Sequence, residues 1–293
     1  MGSLLVAVKA KMAIHAQEKV RGLLEGEYGS VFKGRSMDFD DLREYVPGDD
    51  VKDIDWKATA RSGSTLIRRY IAIRKHNILL VVDTGRNMSA TSETGDNKRD
   101  VAVMTAGVVT YIALKHGDLI GMVAGDSHHS TYFPFKGDNI NAEQVLQHIN
   151  KNITSKGVPG NINSQLEYIA RTMRRKMMLV VISDDSEFSS SHEAILRRLR
   201  AQHEILWVTI GDASGLDVSR EFYDIEGIAV LPYAIKKNKQ IQQIFAEHHQ
   251  SIRDEKNRTL ERLGIIEERI SSDKNVVTGL FKLFERKRRA KNR

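Results

Sequence analysis

The chain predicts an α/β fold, an open and mostly parallel sheet with helices on both faces. Two observations predict it. Unbroken apolar runs of strand length lie at residues 78–82 and 177–182; such runs suit strands buried on both faces. Between and after them, over residues 76–245, apolar residues recur at helical spacing. That alternation is the pattern of strand–helix–strand units with right-handed crossovers.

The elements follow in order. Residues 7–24 have helical spacing and stop before Gly26. Residues 28–70 read as short strands and turns. The run 78–82 is the first core strand, closed by the turn Asp83-Thr84-Gly85. A long helix is expected over 98–115, a strand over 119–124 and a short third strand over 131–135. Helices at 142–151 and 165–175 lead to the strand 177–182, which ends at Ser183-Asp184-Asp185. A helix at 192–202, a strand at 205–210, a last strand at 228–231 and a polar helix at 240–263 complete the pattern. Three parts result: an N-terminal helix with a small β-rich appendage (1–75), the α/β core (76–245) and a C-terminal helix with a basic tail (246–293).

Composition removes several function classes. The chain has 293 residues, is 41% hydrophobic and contains no cysteine. That supports a packed core and excludes disulfides, thiol catalysis and cysteine-based zinc sites. The longest uncharged apolar stretch, 101–114, has 14 residues, short of the about 20 that span a bilayer. The N-terminus lacks a signal-peptide pattern, so a cytoplasmic protein is expected. The net charge of +7 is concentrated at residues 282–293, with seven basic residues against one acidic. Such a run is either a solvated terminus or a contact for acidic surfaces.

The segment 39–61, FDDLREYVPGDDVKDIDWKATAR, is dense in charge but punctuated by single apolar residues. Pro47-Gly48-Asp49 is a turn with a mechanism: proline presets φ, glycine accepts positive φ and aspartate bonds its own backbone. Leu42, Arg43, Tyr45, Pro47, Gly48, Asp49, Asp50, Ile54, Asp55, Trp56, Ala60 and Arg61 match a family signature without gaps. On these residues the chain resembles the bacterial and archaeal family known as domain of unknown function 58, which carries a von Willebrand factor A-like (vWA-like) domain. The expectation for this segment is that Tyr45 and Trp56 are buried against the core. Arg43 and Arg61 are expected to pair with Asp49, Asp53 or Asp55.

Ligands of open α/β sheets sit beyond the carboxyl ends of the strands, where strand order reverses. That rule alone selects Asp83 and Asp184. In vWA domains the same edge holds a metal-ion-dependent adhesion site, Asp-x-Ser-x-Ser with a threonine and a second aspartate from later loops. Here Asp83 and Asp184 match the two aspartates. Gly85 and Asn87 replace the serines, and the threonine loop falls near Asn161 without a threonine. The resemblance therefore implies a degenerate site. Either Asp83 and Asp184 hold magnesium weakly, or no cofactor binds and both aspartates cap helices or bond loop amides. The aspartates at 49, 50, 53 and 55 lie beside basic residues, which favours internal ion pairs over calcium. His128-His129 lacks a fitting third metal ligand.

No catalytic constellation stands out. The first reading is a non-enzymatic protein-binding module presenting Asp83, Gly85, Asn87, Asn161 and Asp184 to a partner. The resemblance implies that partner to be a MoxR-type AAA+ ATPase acting in complex assembly or maturation. The second is a nucleic-acid or membrane-surface adaptor working through the basic tail. The third is a metal-dependent phosphatase using Asp83.

Overall fold

Apolar patterning sets the middle of the sheet. The computed structural model describes residues 2–16, 18–32, 39–70, 75–185, 188–212, 223–224, 229–230 and 239–291. Its helices are α1 (Leu4–His15), α2 (Glu18–Phe32), α3 (Trp56–Ser62), α4 (Lys98–Lys115), α5 (Asn139–Asn152), α6 (Ile162–Thr172), α7 (Ser190–Gln202), α8 (Lys239–Arg262) and α9 (Val276–Lys291). Its strands are β1 (Phe39–Glu44), β2 (Leu66–Tyr70), β3 (Asn77–Asp83), β4 (Leu119–Gly125), β5 (Ser130–Lys136), β6 (Met178–Ser183), β7 (Glu204–Ile210), β8 (Tyr223–Asp224), β9 (Ala229–Val230) and β10 (Ile266–Ile270). They form two units, Phe32–Lys75 on its own and Met1–Val31 together with His76–Arg293.

The larger unit holds a six-stranded sheet in the order β10-β7-β6-β3-β4-β5. Every neighbouring pair is parallel except β4 and β5. β3 and β6 are buried along their whole length, as expected of central strands covered on both faces. Leu79, Val81, Leu179, Val181, Ile205 and Trp207 pack with Leu166 and Ile169 of α6 and with Leu196 and Leu199 of α7. Strand side chains alternate, so Ile78, Leu80 and Val82 serve the opposite face. Among the described residues no helix is long and apolar enough to cross a membrane.

Four differences from the sequence reading have physical causes. The single helix expected at 7–24 is two helices, because Ala16 leaves helical geometry at φ −125 and ψ 130. α2 then runs through Gly26. Second, residues 1–31 belong to the core unit. Glu143 of α5 accepts the Leu4 and Leu5 amides at 2.9 and 3.0 Å, satisfying N-terminal donors of α1. Tyr28 donates its hydroxyl to Asp118 at 2.7 Å.

Third, among the described residues 229–230 pair with β8 and not with the main sheet, and positions 228 and 231 of the expected strand lie outside the described residues. The outer strand is β10, parallel to β7, and its Ile-Glu-Glu-Arg-Ile sequence hides it from a search for apolar runs. Fourth, most of the expected basic tail is a docked helix. Val276, Val277, Leu280, Leu283 and Phe284 of α9 are fully buried. Three of its basic residues pair with other elements, Arg286 with Glu268, Lys287 with Glu204 and Arg288 with Glu27, and Arg289 pairs along the helix with Glu285.

The smaller unit is an antiparallel β1–β2 pair with α3. Gly48 takes φ +112, so glycine fits the turn that Pro47 opens. Asp49 accepts the Val46 amide at 3.0 Å and Arg43 at 2.6 Å. Asp50 accepts the Lys52 amide, and Asp55 caps α3 through the Lys57 and Ala58 amides. Ile54, just after the 3-10 turn Val51–Asp53, bridges to Ile67 of β2, and both are buried. Two expectations fail here. Trp56 is 65% exposed, because it opens the short α3 while Ile54 takes the inward position. Arg61 is exposed and pairs with no carboxylate among the described residues. Tyr45 is half-buried.

The packing of α1 on α4 is open to a direct test. A Cβ on Gly107 would lie 2.6 Å from Val8 Cγ2. Gly107→Ala should therefore destabilise the chain by roughly 1–3 kcal/mol, although alanine favours a helix interior by ~1 kcal/mol. In urea denaturation, Val8→Ala combined with Gly107→Ala should lose less than the sum of the single losses. Strict additivity would show that α1 does not pack there.

Candidate functional site

β3 and β6 are adjacent and parallel, with Val82 opposite Ile182. The chain leaves β3 toward β4 on one side and leaves β6 toward β7 on the other. The two exits diverge and open the crevice that such sheets use for ligands. Asp83 ends β3, and Asp184 follows the last residue of β6. Asn87 comes from the 3-10 turn Arg86–Ser89, and Lys98 is the first residue of α4. Asp212 follows β7 and bridges to Ser92.

One amide joins the two aspartates. Asn87 Nδ2 donates to Asp83 Oδ2 at 2.9 Å and to Asp184 Oδ2 at 2.7 Å. The Gly85 amide donates to Asp83 Oδ1 at 2.8 Å. Lys98 approaches the same Asp184 oxygen: its Nζ lies 3.4 Å from Asp184 Oδ2 and also donates to Asp212 Oδ1. Lys256 of α8 holds the same loop by its backbone. Its Nζ donates to the Asp184 carbonyl at 3.1 Å and to Thr209 Oγ1 at 2.8 Å. Arg269 and Arg253 pair with Asp185, and both also meet Glu93.

The cluster lies beneath the surface. Asp83, Asn87 and Asp184 are 1%, 4% and 6% exposed. A Cβ on Gly160 would fall 2.2 Å from Asn87 Oδ1 and 2.3 Å from Asp83 Oδ2, so only glycine lets that loop close over the cluster. The Arg86 amide donates to the Val158 carbonyl at 2.9 Å, and the Ser127 amide to the Pro159 carbonyl at 3.1 Å. Of the five edge residues read from the sequence, Asp83, Gly85, Asn87 and Asp184 are buried, and Asn161 is exposed. The exposed His128 and His129 direct their rings 71° apart, with both amides on Asp126.

Charge behaviour follows from enclosure. Burial, then the negative Asp184, pushes the Asp83 carboxyl up to about 7 against the opposing pull of Asn87, Gly85 and Lys98. Burial opposes the charge on Lys98, but Asp184 and Asp212 together outweigh it and raise its pKa. Burial lowers the pKa of Lys256 against the attraction of Glu267, Asp185 and Asp184.

A divalent cation at this edge needs several converging oxygens, and the residues present do not fit it. Asp83 and Asp184 face amide hydrogens of Asn87, Asp184 also faces an ammonium, and Gly160 packs against the Asp83 oxygen. The sequence reading missed Lys98, Asp212 and Lys256. One signal pointed to Lys98, a lysine directly after the Asn97 cap of a helix. The positive end of the helix dipole disfavours a cation there unless carboxylates surround it.

The pH dependence has a definite sign. Burial and the neighbouring Asp184 raise the Asp83 carboxyl to about 7, from the ordinary aspartate value of 3.8 that it regains on unfolding. The native state therefore binds more protons in between, and this group's contribution to stability falls as pH rises through that window. Asp83→Asn lacks the contribution. Relative to wild type, its stability in urea should improve between about pH 5 and about pH 8. A difference that stays constant over that range would rule out a raised Asp83.

An uncharacterized protein of Mycobacterium tuberculosis (strain ATCC 25618 / H37Rv) is 29% identical over 220 residues, covering 73% of this chain and 67% of that protein. Similar solved structures include an aerotolerance-related membrane protein from Bacteroides fragilis NCTC 9343 with multiple mutations to serines. It has 14% identity and a TM-score of 0.43, over 72% of this chain and 99% of that one. Another is von Willebrand factor type A from Catenulispora acidiphila, with 10% identity and a TM-score of 0.42, over 74% of this chain and 44% of that one. A family model described as "Protein of unknown function DUF58" matches residues 41–224. That match takes in most of the signature unit and the Asp83–Asp184 edge, and the chain belongs to the DUF58 family.

Proposed function

We propose that the protein is a non-enzymatic protein-binding module of the vWA type, working in the cytoplasm with a MoxR-type AAA+ ATPase in the assembly or maturation of complexes. The partner class rests on the family resemblance. The observation that carries the binding reading is Trp56, 65% exposed on a unit whose turns are fixed by Asp49, Asp50 and Asp55. Val46 and Val51 of the same unit are 56% and 58% exposed. Tryptophan is enriched among the few residues that dominate interface energies. A rigid mount lowers the entropy lost on binding.

This reading places the contact on the signature unit and gives the Asp83 edge a structural role. A phosphatase using Asp83 has less support, since that carboxyl is 1% exposed and already accepts two hydrogen bonds. An adaptor acting through the basic terminus has less support too, since Arg286, Lys287, Arg288 and Arg289 pair with acidic residues of this chain.

The test measures binding of the full chain to the host's MoxR-type ATPase by calorimetry. Trp56→Ala should weaken Kd at least about tenfold and leave the melting temperature within about 1 °C of wild type. Asn161→Arg should bind normally. Full binding by Trp56→Ala would overturn the placement of the contact. A fall of several degrees in its melting temperature would make Trp56 a packing residue. A wild-type chain that ignores the ATPase would remove the partner class.

A further inference from the structure

A lysine stands where both its helix and its burial oppose one. Lys98 is 1% exposed and opens α4, where the helix dipole presents positive charge. Burying an ammonium is tolerated only when carboxylates surround it. Lys98 meets that condition with Asp184 Oδ2 at 3.4 Å and with Asp212 Oδ1. Asp184 is the later of the two aspartates that the fold brings to this edge, and Asn87 ties it to the first. A side chain of the chain itself supplies the positive charge at this edge.

We propose that Lys98 is the resident cation of this edge: its ammonium gathers Asp184 and Asp212 and, with the Asn87 amide, closes the edge to divalent metal. Removing the ammonium leaves Asp184 and Asp212 without the charge that gathers them, and opens space beside the Asp184 oxygen. Hard oxygen donors around such a space suit magnesium or manganese. A metal-indifferent protein thereby becomes a metal-responsive one by a single substitution. The inference is independent of the ATPase partner and of the role of Trp56, because its readout is metal binding by the chain alone.

The experiment compares full-length wild type with Lys98→Ala by thermal melting in chelator and in millimolar magnesium or manganese. The wild-type melting temperature should not change. Lys98→Ala should melt lower in chelator and recover at least ~3 °C with either ion. Lys98→Arg, which keeps the charge, should be indifferent to metal. If Lys98→Ala does not fold, the wild-type arm decides. Manganese titrated into wild type and followed by the paramagnetic signal of the free ion should stay free into the millimolar range. Manganese bound by wild type and released by Asp83→Asn would overturn the proposal. So would a Lys98→Ala chain as stable as wild type in chelator. A destabilised variant that gains nothing from metal would also overturn it, since the position would then be an ordinary ion pair.

Discussion

The Asn87 side-chain amide is the contact on which the edge of this molecule depends. Two carboxylates at the ends of neighbouring strands repel, and burial strengthens the repulsion. Nδ2 sits between Asp83 and Asp184 at 2.9 and 2.7 Å and turns that repulsion into a bridge. The geometry fixes what surrounds it. The turn after β3 must bring Asn87 back to Asp83, and residue 160 must be glycine, because a Cβ there would meet Asn87 Oδ1 and Asp83 Oδ2. Removing a donor from an enclosed carboxylate costs about 1–3 kcal/mol, and this donor serves two.

Around the bridge the charges are arranged in pairs. Lys98 lies between Asp184 and Asp212, and Lys256 between Glu267, Thr209 and the Asp184 carbonyl. Arg253 and Arg269 join Asp185 to Glu93. The network ties the loops after β3, β6 and β7 to β10 and α8. Buried ion pairs of this kind add little net stability against an apolar replacement, yet losing one partner is expensive. Their effect is to fix one arrangement of loops. Lys256 adds a further constraint, 5.5 Å from the Trp207 ring and 5.6 Å from the Phe188 ring, within range of cation–π attraction.

Legibility followed the strength of local pattern. The central strands and the positions of Asp83 and Asp184 could be read because buried parallel strands are unbroken apolar runs with polar ends. β10 could not, since an outer strand with two glutamates and an arginine carries no such run. α9 was hidden by its terminal charge, although Val276, Val277, Leu280, Leu283 and Phe284 trace one apolar stripe at helical spacing. Trp56 misled because anchoring was inferred from residue type, whereas the inward position belongs to Ile54, two residues earlier. Lys98, Lys256 and Asp212 are brought together from distant elements, and no spacing in the sequence connects them.

Native-state hydrogen exchange on Asn87→Ala tests the central claim most directly. The amides of Gly85, Arg86 and Ser127 bond to Asp83, Val158 and Pro159 around the bridge. With the bridge removed, these amides should exchange at least about tenfold faster, the effect of ~1.4 kcal/mol of lost local stability, while amides within β6 and β7 keep their protection. Unchanged exchange at Gly85, Arg86 and Ser127 would contradict the account, and so would equal acceleration throughout the sheet.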